Sequence, residues 1–229
     1  MTRTLVAYGD SNTHGTIPMA TLEDAGRHPP DVRWPGVLAA ALGPDWRVIE
    51  EGHPGRTTVH PDPIAGVHRN GLAVLPAILE SHRPIDLVVL MLGTNDLKLR
   101  FMVPAVEIAV SVEKLALCVK QSGCGPALGA PELLIVAPPP VEEAGCLAEV
   151  FEGAAAKSRR LAGLYAETAR RQGAGFLDAG EAARVSPVDG VHLDAAAHAA
   201  LGRAVAGAVR GFAFRGATGR DGTGGERRC

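Results

Sequence analysis

The sequence predicts an α/β fold in which a doubly wound, five-stranded parallel sheet is covered by helices on both faces. Two observations carry this. Short β-prone runs alternate with longer helical ones through most of the 229 residues, the pattern of parallel strands joined by crossover helices. One run, Ile85 to Leu92 (IDLVVLML), is apolar almost throughout, as a strand buried on both faces must be.

Each element has its own signal. Thr4 to Tyr8 is apolar, β-prone and ends at Gly9, so it reads as the first strand. Asp31 to Leu42 has apolar residues at helical spacing and is stopped by Gly43-Pro44. Trp46 to Ile49 is a second strand, and Gly71 to His82 a helix that ends before Pro84. Ile85 to Leu92 is the third strand. Val103 to Gln121 is a helix closed by Ser122-Gly123, and Leu133 to Ala137 is a fourth strand running into three prolines. Phe151 to Gln172 reads as one long helix with Leu161, Leu164, Tyr165 and Thr168 on one face. Gly175 to Leu177 is a short fifth strand. Asp194 caps a last helix through Phe212, with Leu201, Val205, Ala208 and Phe212 facing inward. Residues 1–213 are expected to form one domain. The remainder, 214–229, is rich in Gly and Arg, lacks periodicity and is expected to be a disordered tail.

Composition excludes several function classes. The net charge is −2, which gives no field for nucleic acid or an anionic membrane. Five Phe, two Tyr and two Trp, 4% of the chain, are too few for a stacking platform. The longest stretch free of charged side chains, Ser11 to Leu22, has 12 residues, against roughly 20 needed to span a bilayer. No signal-peptide core precedes Asp10, so the chain is expected to be cytoplasmic. Cys118, Cys124, Cys146 and Cys229 lack metal-ligand spacing, and no phosphate-cradle motif is present; no metal or cofactor is expected.

In such folds ligands bind beyond the carboxyl ends of the strands. Four polar segments fall there: Gly9 to Gly15, Gly52 to Thr58, Gly93 to Asp96, and Asp189 to His192. Ser11 stands at a strand-to-helix turn, where a base can make its hydroxyl a nucleophile. Asp189 and His192 are three apart in a loop, near enough for the carboxylate to orient the imidazole. The N–H groups of Ser11 and Gly55 and the Asn95 amide are candidate oxyanion donors. Each residue also has a purely structural role open to it. Ser11 is a natural N-cap, Asp189-x-x-His192 a solvated turn, Asn95 an Asx-turn residue, and Gly55 a turn glycine. Arg56 and Lys98 read equally as surface charges or rim residues.

Gly9-Asp10-Ser11, Gly55, Gly93-x-Asn95-Asp96 and Asp189-x-x-His192, in that order, resemble the four blocks of the SGNH (GDSL-type) hydrolases. DVRWPGVLAAALG, VIEEGHPGRTT, DLVVLMLGTND and DGVHLD are closer still to the small bacterial arylesterases and acyltransferases of that superfamily. The resemblance implies a three-layer α/β/α, flavodoxin-like fold. It implies Ser11 as nucleophile, His192 as base, Asp189 as its orienter, and Ser11, Gly55 and Asn95 as the oxyanion hole. The activity implied is hydrolysis of short-chain acyl esters, aryl esters included, with acyl transfer to alcohols a second outlet. The partner is a small-molecule ester, and a homo-oligomer is expected. The same triad would also serve an O-deacetylase of carbohydrates or other natural esters, and the fold alone would suit a non-catalytic binding module. The sequence departs from the usual pattern at Asn12, Glu51, His14 and Thr16, positions expected to line the pocket mouth. Asn12, His14 and Trp34 are expected to line the substrate pocket.

Overall fold

In the computed structural model, which describes residues 2–212, the five strands are all parallel and ordered β2-β1-β3-β4-β5. They are β1 (Arg3–Gly9), β2 (Trp46–Gly52), β3 (Leu87–Met91), β4 (Glu132–Ala137) and β5 (Gly175–Asp178). The tail at 214–229 lies outside the described residues.

Alternation along the strands divides the interior into two layers, because successive side chains leave a strand on opposite faces. Val6, Tyr8, Val88, Leu90, Leu133 and Ile135 point to one side. There they meet the helices α3 (Gly71–His82), α4 (Ala105–Gln121) and α6 (Leu161–Gln172). Leu5, Ala7, Leu87, Val89, Leu134 and Val136 point to the other, against α2 (Trp34–Leu42) and α7 (Ala195–Arg210). This is the three-layer α/β/α arrangement. The two remaining helices are short: α1 (Ser11–His14) follows β1, and α5 (Ala154–Ser158) precedes α6.

Four helices differ from expectation, and three of the differences have a local cause. The helix expected from Asp31 starts at Trp34, because Pro35 has no N–H to give to the Asp31 carbonyl. Pro29 instead accepts from the N–H groups of Val32 and Arg33 in a turn. Pro104 delays α4 to Ala105 in the same way. The long helix expected over Phe151 to Gln172 is broken in two. Gly153, at φ 73°, precedes α5, and at its far end the Ser158 hydroxyl accepts the N–H of Val141 at 3.1 Å. Phe151 is thereby released from the helix and buried elsewhere. The last helix ends at Arg210 rather than Phe212, which still packs against the second layer.

The registers place the site. Gly9 at the end of β1 lies opposite Gly52 on β2 and Met91 on β3, so the three chains leave the sheet at one level. Gly52 has a specific reason to be glycine: a Cβ there would lie 2.1 Å from the backbone N of His14, so α1 could not cross β2.

His198 on α7 is fully buried and accepts the Trp34 N–H on Nδ1 at 3.3 Å; its Nε2 has no partner among the described residues. Burial, and after it the nearby His28, lowers its pKa to about 4. The unfolded chain therefore binds a proton between pH 6.5 and 4 that the folded chain refuses, and stability falls as the pH drops through that window. His198 should account for a loss of about 2–3 kcal/mol between pH 7 and pH 4.5. Denaturant titrations at the two pH values will show this loss shrinking by that amount in His198→Gln. An unchanged loss would contradict the assignment.

Candidate active site

Ser11 opens α1 immediately after β1 and is 5% exposed. Asp10 caps this helix, its carboxylate accepting the Asn12 N–H at 3.0 Å. Burial pushes the Asp10 carboxyl up to about 6, against the downward pull of that hydrogen bond and of His192. Gly15, at φ 85°, ends the helix after one turn and sends the chain back across the site.

Asp189 and His192 lie in the loop between β5 and α7. His192 Nδ1 is 2.7 Å from Asp189 Oδ2, and the same oxygen accepts the Met19 N–H at 2.8 Å. Asp189 Oδ1 accepts the N–H groups of Val191 and His192 at 3.0 and 2.9 Å. Burial alone would raise this carboxyl's pKa, but the imidazole and the three backbone donors outweigh it and hold it at about 2. Asp189 is therefore a fixed anion at neutral pH. It engages Nδ1 of the imidazole and leaves Nε2 as the nitrogen free for proton exchange.

Gly55, at φ 75°, follows β2, and Asn95 follows β3. Asn95 Nδ2 donates to the Arg56 carbonyl at 3.1 Å, which sets the amide beside the Gly55 loop. Asp96 pins the same loop from below, accepting the Thr58 N–H at 2.9 Å, the Thr58 hydroxyl at 2.5 Å and pairing with His60 Nδ1 at 2.9 Å. Gly93, at φ 122°, permits this approach, since a Cβ there would lie 2.1 Å from the Tyr165 hydroxyl.

Ser11, His192, Gly55 and Asn95 all line one cavity of about 470 Å³. His14 and Thr16 line it too, as does Lys98, while Met19, Leu147, Phe151 and Val191 supply much of its apolar wall. Burial, followed by the charges of Arg27 and Arg33, lowers the His14 pKa, which favours a neutral ring at the cavity wall.

Four sequence readings need correction. Trp34 does not border the cavity: it is fully buried on the α2–α7 face of the sheet, and Phe151 takes the place of an aromatic wall. Asn12 is turned away from the cavity and inward. Its Nδ2 donates to the Val191 carbonyl and its Oδ1 accepts the Leu193 N–H, both at 3.1 Å, so it holds both neighbours of His192. Glu51 pairs with His82 at 2.7 Å instead of facing substrate. Arg56 is neither a surface nor a rim charge. It is 3% exposed, donates to the Gly9 carbonyl at 2.8 Å and to that of Glu51, and stacks 4.3 Å from the Tyr8 ring centre. Sequence reasoning also missed the Met19 N–H and Phe151. Nothing local marks either, because both arrive by long-range folding.

Ester chemistry needs a nucleophile, a base and oxyanion donors on one wall, and the comparisons point to that class of protein. The chain belongs to the GDSL-like lipase/acylhydrolase family, whose profile matches residues 7–200. It is thus a carboxylic ester hydrolase on the SGNH fold. The M. smegmatis aryl esterase structure is 39% identical, with a TM-score of 0.87 over 91% of this chain and 98% of that one. Est24, a carbohydrate acetylesterase from Sinorhizobium meliloti, gives the same figures. A carbohydrate acetylesterase family member from the same organism is 42% identical, with a TM-score of 0.83 over 91% of this chain and 97% of that one. No match is found among curated proteins. Among the described residues no helix is long and apolar enough to cross a membrane.

The Asn12 clamp generates a test. Asn12→Ala leaves the Val191 carbonyl and the Leu193 N–H buried without partners, at a cost of about 1–3 kcal/mol for each group. Urea denaturation should show a loss of at least about 2 kcal/mol, and a change below about 0.5 kcal/mol would mean that the clamp contributes nothing.

Proposed function

We propose that the protein is a serine esterase that cleaves short-chain acyl esters, aryl esters among them, through an acyl-Ser11 intermediate. The observation that carries this reading is the Asp189–His192 pair: a carboxylate held at about 2, committed to Nδ1, with the imidazole on the same cavity as Ser11. His192 Nε2 takes the Ser11 proton as the oxygen attacks the ester carbonyl. The N–H groups of Ser11 and Gly55 and the Asn95 amide receive the developing oxyanion. Collapse expels the alcohol, which takes the proton back from His192. Water then repeats the sequence on the acyl-Ser11 ester, and an alcohol in its place gives acyl transfer. A cavity of about 470 Å³ with an apolar wall suits a small acyl group better than a long chain. The likeness to the M. smegmatis aryl esterase supports the aryl reading.

The carbohydrate acetylesterases among the similar structures favour a second reading, O-deacetylation of sugars by the same residues. Faster turnover of acetylated xylan than of aryl acetates would reverse the ranking. Self-association is a further part of the reading, supported by the exposed Met102 just before α4 and the exposed Val106 and Val110 in its first two turns.

Hydrolysis of 4-nitrophenyl acetate tests the assignment. Ser11→Ala and His192→Ala should each lose about 10³-fold or more in kcat. Asn95→Ala should lose about 10²–10³-fold in kcat, as for other oxyanion donors. If wild type and Ser11→Ala share one background rate, Ser11 is not the nucleophile and a non-catalytic binding module becomes the better reading.

A further inference from the structure

We propose that Lys98 selects esters carrying a second, carboxylate group, which pairs with its ammonium while the ester carbonyl lies at Ser11. The inference rests on the esterase reading above. Lys98 closes the turn Asn95–Leu97, and its N–H donates to the Asn95 carbonyl at 3.3 Å, so its backbone is fixed three residues from the candidate oxyanion donor. The residue is half-buried and lines the cavity that holds Ser11 and His192. Among the described residues its ammonium makes no ion pair and no hydrogen bond.

The carboxylates around it are all engaged elsewhere. Asp62 accepts from Arg100 at 3.2 Å and from the N–H groups of Ile64 and Ala65. Asp96 holds Thr58 and His60, and Asp10 caps α1. Asp24, the acid that lines the cavity, is exposed and accepts the N–H groups of Ala20 and Thr21. Burial, then the charges of Arg100 and Arg69, lower the Lys98 pKa, against the opposing pull of Asp62 and Asp10, neither of which Lys98 contacts as an ion pair. A cation partly withdrawn from water in a mainly apolar wall attracts an anion far more than one in bulk solvent does. A substrate that supplies a carboxylate completes the pair.

The cavity limits the size of that substrate. Ester and carboxylate must share a volume of about 470 Å³, as they do in a monoester of a small dicarboxylic acid or in an acetylated hydroxybenzoate. These place the carboxylate on the acyl side and on the alcohol side respectively, and the test separates them. The acyl pair is mono-4-nitrophenyl succinate against 4-nitrophenyl butyrate. The alcohol pair is 4-acetoxybenzoate against 4-acetoxybenzamide. Within one pair the ratio of kcat/KM, anionic over neutral, does not depend on how much of a variant is folded.

In at least one pair this ratio should fall about tenfold from wild type to Lys98→Met, through KM for the anionic member. It should be retained in Lys98→Arg, fall further in Lys98→Glu, and decline with added salt in the wild type. Equal ratios in wild type and Lys98→Met for both pairs, with the neutral esters hydrolysed, would overturn this inference and leave the esterase reading standing. Failure of the wild type to exceed Ser11→Ala on any of the four esters would overturn both.

Discussion

Gly9 stands opposite both Gly52 and Met91, and this register of three neighbouring parallel strands decides where Ser11, Gly55 and Asn95 can be. Because the strands leave the sheet level with one another, the short segments that follow each meet on one rim. Ser11 comes from β1, Gly55 from β2 and Asn95 from β3, with no long side chain needed to bridge them. The register in turn depends on the two apolar layers, since a slip of one residue would carry Leu5 and Ala7 to the wrong face.

Above that rim the loops are fixed by buried carboxylates that each gather several donors. Asp189 collects Met19, Val191 and His192, while Asp96 collects Thr58 and His60. Buried Arg56 works in the opposite sense, offering donors to the carbonyls at the ends of β1 and β2 and lying over Tyr8. Such groups are costly to bury and are tolerated where hydrogen bonds offset most of that cost, although Arg56 Nε has no partner among the described residues. They exchange flexibility at the strand ends for a defined geometry, which an oxyanion site requires.

Much of this was legible in the sequence. The α3 helix was readable to the residue, because Asn70 caps it and Pro84 stops the chain beyond it. The buried β3 was readable from its unbroken apolar run. Boundaries slipped where a proline sat a few residues inside an apparent helix, at Pro35 and Pro104. The residues grouped by strand order, Ser11, Gly55, Asn95 and His192, do share a cavity. What was not legible is the direction a side chain takes once packed. Asn12 follows Ser11 and reads as a pocket residue, yet a one-turn helix rotates it into the interior. Trp34 is one of few rings, but composition cannot say which layer it fills. Lys98 and Arg56 look equivalent as charges and end in unlike surroundings, one in the cavity wall and one beneath it.

Asn12 grasps the backbone on either side of His192 across 179 to 181 positions of sequence. As the chain is synthesised, Ser11 emerges with β1, well before the loop that carries His192. Until that loop is made the proposed base is absent, whatever the state of the sheet. The hydrogen bonds that tie this loop to α1 therefore wait for residue 193 to be made, and in the proposed reading their closure brings nucleophile and base together.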